Sequence, residues 1–274
     1  MKAKKSLGQH FLVSKKALSQ IIDAGDIHTD DLVLEIGPGK GVLTERLLAK
    51  EATVVVIEKD RDLIPLLQET FPNQVSSNKL NIIHDDVLKF DPTDLTILPT
   101  SYKLIANIPY YITGAIIEQF LSTTHQPTCM VLLMQREVAE RIVARDHKHS
   151  ILSIAVQVYG TPKIIGRVPP GAFVPPPTVE SAILLIEGIS RNFFIGNTPE
   201  GPCSEVIFFS VLKAVFGKKR KQIGGSLADH IGDRDLALQI LSQASIDPKT
   251  RPETMTMLDW KKITQVLEQS QSLI

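Results

Sequence analysis

"DLVLEIGPGKGVLTERLLAK", residues 31–50, is the stretch on which the fold turns. DLVLEIG (31–37) is a nearly unbroken apolar run of strand length, the pattern of a strand covered on both faces. Glycines then alternate at 37, 39 and 41, and GVLTERLLAK (41–50) continues with Val42, Leu43, Leu47 and Leu48 at helical spacing. Strand, glycine turn and helix in that order open a doubly wound, mainly parallel sheet.

The same alternation runs outward from this unit. ATVVVIE (52–58) is a β-branched strand and RDLIPLLQETF (61–71) a helix. LNIIHDD (80–86), YKLIANI (102–108) and TCMVLLMQ (128–135) are further strands. TGAIIEQFLST (113–123), EVAERIVAR (137–145) and SILSIAVQVYG (150–160) have helical spacing. PKIIGRV (162–168) and SAILLIEG (181–188) then follow with a proline-rich loop and no helix between them, so an antiparallel pair at the sheet edge is expected. SRNFFIGNTPEGP has turn chemistry. Residues 204–274 read as short helices, with Trp260 as a core anchor. The expected organisation is an α/β domain over 1–188 with a basic arm at 1–16, a linker at 189–203, and a small all-α domain at 204–274.

Composition bounds the rest. The 274 residues are 43% hydrophobic and 22% charged, enough for one large domain and one small one. No apolar run approaches the roughly 18–20 residues that span a bilayer. The start, MKAKKSLGQHFL, is basic but lacks the apolar core of a secretory signal. Cys129 and Cys203 have no metal-like spacing. A cytoplasmic protein with reduced thiols and no metal is expected. The formal net charge is +0, yet the charges are unevenly placed. Lys2, Lys4, Lys5, Lys15 and Lys16 share the first 16 residues with no acid, and Lys218-Lys219-Arg220-Lys221 forms a second basic run. Separate basic patches on a balanced protein suit a phosphate backbone with a wide footprint.

In such a sheet, ligands bind beyond the carboxyl ends of the strands. Three of those ends are unusual. Gly37-Pro38-Gly39-Lys40-Gly41 lets a ligand approach the backbone but does not match the dinucleotide fingerprint. Glu58 closes the second strand and can accept both hydroxyls of a ribose. Asp85-Asp86 closes the third, where a carboxylate can accept from an adenine amino group. Together they describe an adenosine pocket without a phosphate clamp, which points to S-adenosylmethionine rather than NAD.

The fourth end is "LIANIPYYIT" (104–113), where a buried strand stops at Asn107 and turns through Pro109 into paired tyrosines. The exocyclic amine of adenine is a poor nucleophile, because its lone pair is delocalised into the ring. Hydrogen bonds from its two protons to Asn107 Oδ1 and to a backbone carbonyl near Ile108 would draw the nitrogen toward tetrahedral geometry. They would also aim it at the methyl group, which is catalysis by orientation and electrostatics. Tyr110 can stack on an extracted base.

Seven stretches in order carry a resemblance over both domains: KKSLGQHFL (4–12), LEIGPGKGVLT (34–44), VIEKD (56–60), HDDVLKF (84–90), ANIPYYIT (106–113), LMQREVAERI (133–142) and FVPPPTVESAI (173–183). The chain resembles the small-subunit ribosomal RNA adenine dimethyltransferases, the KsgA/RsmA type. The resemblance implies a Rossmann-like class I methyltransferase sheet with cofactor contacts at His10, Leu12, Gly37, Glu58, Asp86 and Asn107. It chooses Asp86 over Asp85 for the adenine. The family more often has asparagine where this chain has His10. Asn107 and Tyr110 carry over as the target-adenine site, and Phe173 as a second aromatic on the flipped base.

The implied reaction is N6,N6-dimethylation of two adjacent adenosines in a hairpin loop near the 3′ end of small-subunit rRNA. It takes place late in assembly, on a partly assembled subunit, and a monomer is expected. Lys4, Lys5, Lys218, Lys219, Arg220 and Lys221 would grip the RNA, and the N-terminal arm would order over the cofactor with substrate. Two alternatives remain: a resistance enzyme dimethylating large-subunit rRNA, and a non-catalytic assembly factor on the same fold. A dinucleotide oxidoreductase lacks its phosphate fingerprint here, and a DNA adenine methyltransferase would need a target-recognition domain.

Overall fold

A computed structural model describes residues 8–92, 101–144, 148–218 and 221–271. Lys2, Lys4 and Lys5 of the basic arm, and Lys219 and Arg220 of the second basic run, lie outside the described residues. The chain forms two compact units, Met1–Glu140 with Gly160–Ile189, and Arg141–Tyr159 with Ser190–Ile274.

Among the described residues the first unit holds nine strands: β1 (Phe11–Leu12), β2 (Leu32–Ile36), β3 (Thr53–Glu58), β4 (Leu80–His84), β5 (Lys103–Asn107), β6 (Cys129–Gln135), β7 (Thr161–Val168), β8 (Phe173–Val174) and β9 (Ser181–Glu187). Seven of them make one sheet in the order β4-β3-β2-β5-β6-β9-β7. β4 through β6 run parallel to one another, while β9 is antiparallel to both β6 and β7. All five residues of β2 are buried, as a strand covered on both faces requires. The expected antiparallel pair sits at the edge, with β7 outermost. Pro162 and a bulge between Ile164 and Gly166 interrupt that edge, which discourages further strand pairing. The order of the parallel strands reverses between β2 and β5, and this is where a crevice opens at their carboxyl ends.

Residues 15–25 differ from the sequence reading. Lys15 and Lys16 do not extend a basic arm; they open a helix, Lys15–Gly25, capped by Ser14. Ala17, Leu18, Ile21, Ile22 and Gly25 form its buried face, which joins Ile105, Val131, Leu133, Ile183 and Leu185 in the core. Each large side chain so buried contributes roughly 2 kcal/mol. Ahead of this helix, β1 pairs antiparallel with β8 in a second, two-stranded sheet, matching Phe11 with Val174 and Leu12 with Phe173.

The second unit is helical: Ile151–Gln157, Asn192–Ile195, Glu205–Phe216, Ile223–Ile231, Arg234–Gln243 and Met257–Gln271. Ser150, Ser204 and Asp233 cap three of these helices by accepting from first-turn N–H groups. Within 189–203, read from the sequence as a linker, Phe194 is buried among Tyr159, Phe193, Phe208 and Phe209, with ring centroids 5.1–6.0 Å apart. Trp260 is buried beside Phe216. Lys261 is also buried, its ammonium donating to Phe193 O and Thr198 Oγ1, each at 2.7 Å. Cys129 and Cys203 are free thiols, and burial pushes each up to about 11. Among the described residues no helix is long and apolar enough to cross a membrane.

Candidate active site

The crevice at the switch point is a cavity with three walls. The glycine turn after β2 and the end of β3 form one; residues 85–88 beyond β4 and residues 107–112 beyond β5 form another. Residues 8–12, held in place by β1 pairing with β8, form the third. Five of the six residues expected to contact the cofactor by sequence and resemblance – His10, Gly37, Glu58, Asp86 and Asn107 – line this cavity with partly open or polar groups, and Leu12 lines it from the core side.

The turn has the backbone that only glycine adopts cheaply. Gly37, Gly39 and Gly41 take φ of 66°, 59° and 81°. A Cβ on Gly37 would meet no atom within 4 Å, so a ligand can lie directly against this backbone. A Cβ on Gly39 would come 3.0 Å from the Phe11 ring, and that is how closely the N-terminal wall approaches the turn. Lys40 stands over the same ring, 5.0 Å from its centroid.

Glu58 is held by two backbone donors, Asp60 N to Oε1 at 2.7 Å and Gly39 N to Oε2 at 3.2 Å. Each oxygen keeps a lone pair for a further donor. Burial raises its pKa, partly offset by those hydrogen bonds. Asp86 sits nearer the surface and is held ionised by Lys59, whose ammonium donates to Oδ2 at 2.8 Å. Asp86 N donates in turn to Asp85 Oδ1 at 2.7 Å, so the two neighbouring acids have different tasks.

Sequence reasoning passed over Glu35. It is 1% exposed, accepts from the Thr44 hydroxyl at 2.6 Å, and is pushed up to about 8 by burial, with the nearby Glu58 charge adding to the shift. A lone acid inside the apolar run of β2 was the signal available. Buried carboxyl groups at the end of this crevice, one of them hydrogen-bonded only to backbone N–H groups, disfavour a phosphate and leave acceptors for hydroxyl and amino donors. A sulfonium with an adenosine body meets both conditions, and the acceptors at Glu58 and Asp86 match the adenosine's donors.

On the opposite side, Asn107 Nδ2 donates to His10 O at 3.1 Å. The bond fixes the carboxamide by its nitrogen and leaves Oδ1 as an acceptor for a further donor. The His10 side chain reaches across to Pro175 O at 2.8 Å, so both its backbone and its ring tie the N-terminal wall down. Tyr110 is half-buried with its hydroxyl 2.7 Å from Ser181 Oγ, and burial raises its pKa. The anchor sets its ring plane, which lies 19° from the His10 ring at a centroid distance of 6.1 Å.

Phe173, to which the resemblance gives a place on the flipped base, is 2% exposed, sits in the core and does not line the cofactor cavity. It meets the site through its backbone, by pairing with Leu12. Of the basic residues, Lys218 and Lys221 are exposed on the second unit and share Asp229, at 3.6 and 2.9 Å. That pair, Lys221 first, lowers the pKa of Asp229.

Comparison with known proteins agrees with this geometry. Residues 1–269 match the family described as Ribosomal RNA adenine dimethylase. The chain is 41% identical over 264 residues to a Ribosomal RNA small subunit methyltransferase A of Dehalococcoides mccartyi, covering 96% of this chain and 88% of that one. A dimethyladenosine transferase from Plasmodium falciparum superposes with a TM-score of 0.78 at 25% identity, over 97% of this chain and 99% of that one. The 23S rRNA methyltransferase ErmE shares the fold, with a TM-score of 0.69 at 22% identity over 94% and 99% of the two chains.

Proposed function

Given that the chain belongs to the ribosomal RNA adenine dimethylases, we propose that it dimethylates N6 of two adjacent adenosines in a hairpin loop near the 3′ end of small-subunit rRNA. It does so as a monomer in the cytoplasm, late in assembly of the subunit. One observation carries the reading: at the end of β5, Asn107 is fixed by its amide nitrogen, which leaves Oδ1 free to accept, and it lines the same cavity as the anchored Tyr110.

S-adenosylmethionine supplies an electrophilic methyl group on its sulfonium. The protein's residues arrange everything else. Glu58 would accept from the ribose hydroxyls and Asp86 from the cofactor's adenine amine, and the bare backbone of Gly37 would let the cofactor lie close against the turn. His10 and Leu12 close the wall. Asn107 Oδ1 and a backbone carbonyl near Ile108 accept hydrogen bonds from the two N–H groups of the target amine, whose protons stay on the nitrogen while its lone pair is aimed at the methyl group. Tyr110 stacks on the extracted adenine, its plane preset by Ser181 so that little ordering is left for the moment of binding.

The test uses small subunits from cells lacking this methylation. They are incubated with the protein and S-adenosylmethionine, and the rRNA is digested and searched for N6,N6-dimethyladenosine by mass spectrometry, with large subunits in parallel. Product on the small subunit alone is expected. Product on the large subunit alone would make the protein a resistance enzyme. No product on either, with cofactor still bound, would make it an assembly factor.

Lys218 to Lys221 are assigned to the RNA backbone. Replacing all four by alanine should weaken subunit binding and lower the log–log salt slope by about 0.7–0.9 for each phosphate no longer neutralised. Asp229 already draws on Lys218 and Lys221, so the total drop should fall short of the value for four phosphates. Unchanged affinity across a salt series would move the grip elsewhere.

A further inference from the structure

The paired tyrosines of "NIPYYIT" part company in the fold. Tyr110 turns inward to Ser181, whereas Tyr111 is 64% exposed while still lining the rim of the same cavity. Its ring is not loose. Gly8, in the left-handed region at φ 61°, lies so close that a Cβ there would come 3.3 Å from Tyr111 Cε1, and Pro109 backs the same spot. The ring therefore has one supported side and one open side. Lys40 and Lys59 line the same opening, the first over the Phe11 ring and the second paired with Asp86, so the opening carries positive charge near the aromatic ring.

A large aromatic held at a cavity mouth, with cations beside it, is the composition of a single-strand stacking platform. We propose that Tyr111 is the stacking platform for the nucleotide next to the target adenosine. The occupant follows from continuity: Tyr110 and Tyr111 are consecutive, so a strand that delivers one base to Tyr110 carries its neighbour past Tyr111. Stacking on a π-face tolerates any base, so the platform accepts the neighbouring nucleotide whichever of two adjacent adenosines is in the pocket. The inference rests on the reading of the site given under Proposed function.

The experiment measures KM for undermethylated small subunits, cofactor affinity and melting temperature for the wild type and three variants. Tyr111→Ala should raise KM for subunits about tenfold, in the range expected for removal of one base–aromatic stack, and by a clearly larger factor than any change in cofactor affinity, since the ring sits on the rim of the cofactor's cavity. Tyr111→Leu, which keeps bulk but loses the π-face, should behave like the alanine variant. Tyr111→Phe should restore wild-type KM. A leucine variant equal to wild type, or an alanine variant with unchanged KM, overturns the platform while leaving the enzyme assignment intact. Failure of the wild type to methylate either subunit overturns the assignment and the platform with it.

Discussion

Asn107→Ala abolishes transfer to rRNA, by about a thousandfold or more in single-turnover rate, while cofactor binding remains measurable. The size follows from what the side chain does. In the mechanism proposed above its Oδ1 accepts from the amine where charge develops, and removing one such preorganised partner typically costs two to three orders of magnitude. Its Nδ2 bond to His10 O adds a second loss, because alanine also releases the wall formed by residues 8–12. Asn107→Asp separates the two effects. The carboxylate can still accept from the amine, but it meets His10 O with an acceptor instead of a donor, so the variant should recover only part of the rate. Rapid-quench transfer at saturating cofactor, beside a cofactor titration, reads both. Full methylation by the alanine variant would remove Asn107 from the chemistry.

The second large effect is on stability. With its carboxyl pushed up to about 8, Glu35 stays protonated in the folded chain at neutral pH while the unfolded chain ionises near 4.5. Its stabilising contribution is thus complete below about pH 4.5 and is lost as pH rises toward 8. At about 1.4 kcal/mol per pH unit, the loss is on the order of 4–5 kcal/mol. Glu35→Gln mimics the neutral acid and still accepts from Thr44, so it escapes this loss. Urea melts from pH 5 to pH 8 should show the two proteins diverging, with the glutamine variant increasingly the more stable. Parallel curves would mean that Glu35 ionises normally in the fold.

Much of this fold was legible because strands and helices advertise their periods. The runs at 31–37, 52–58 and 128–135 are apolar on both faces, and the missing helix between 168 and 181 announced the antiparallel edge. Glu58, the Asp85-Asp86 pair and Asn107 stood out as candidates because strand ends are where such sheets put ligands, and the resemblance singled out Asp86 of the pair. The helix at Lys15–Gly25 was overlooked although Ser14 and the spacing of Ala17, Leu18, Ile21 and Ile22 marked it, since the lysines drew attention to charge. Phe173 shows a different limit. An aromatic in a proline-rich loop reads the same whether its ring faces a ligand or the core, and only the pairing of β8 with β1 decides between them.

That pairing has a bearing on how the chain is made. His10 meets Pro175 across a sequence separation of 165, so one wall of the reaction chamber depends on a very long loop closure. The amino end leaves the ribosome first and then waits for most of the first unit to be synthesised. Contacts this remote form late in folding, after local helices and neighbouring strands. A nascent chain is therefore inert toward rRNA until its first and one of its last sheet segments have found each other.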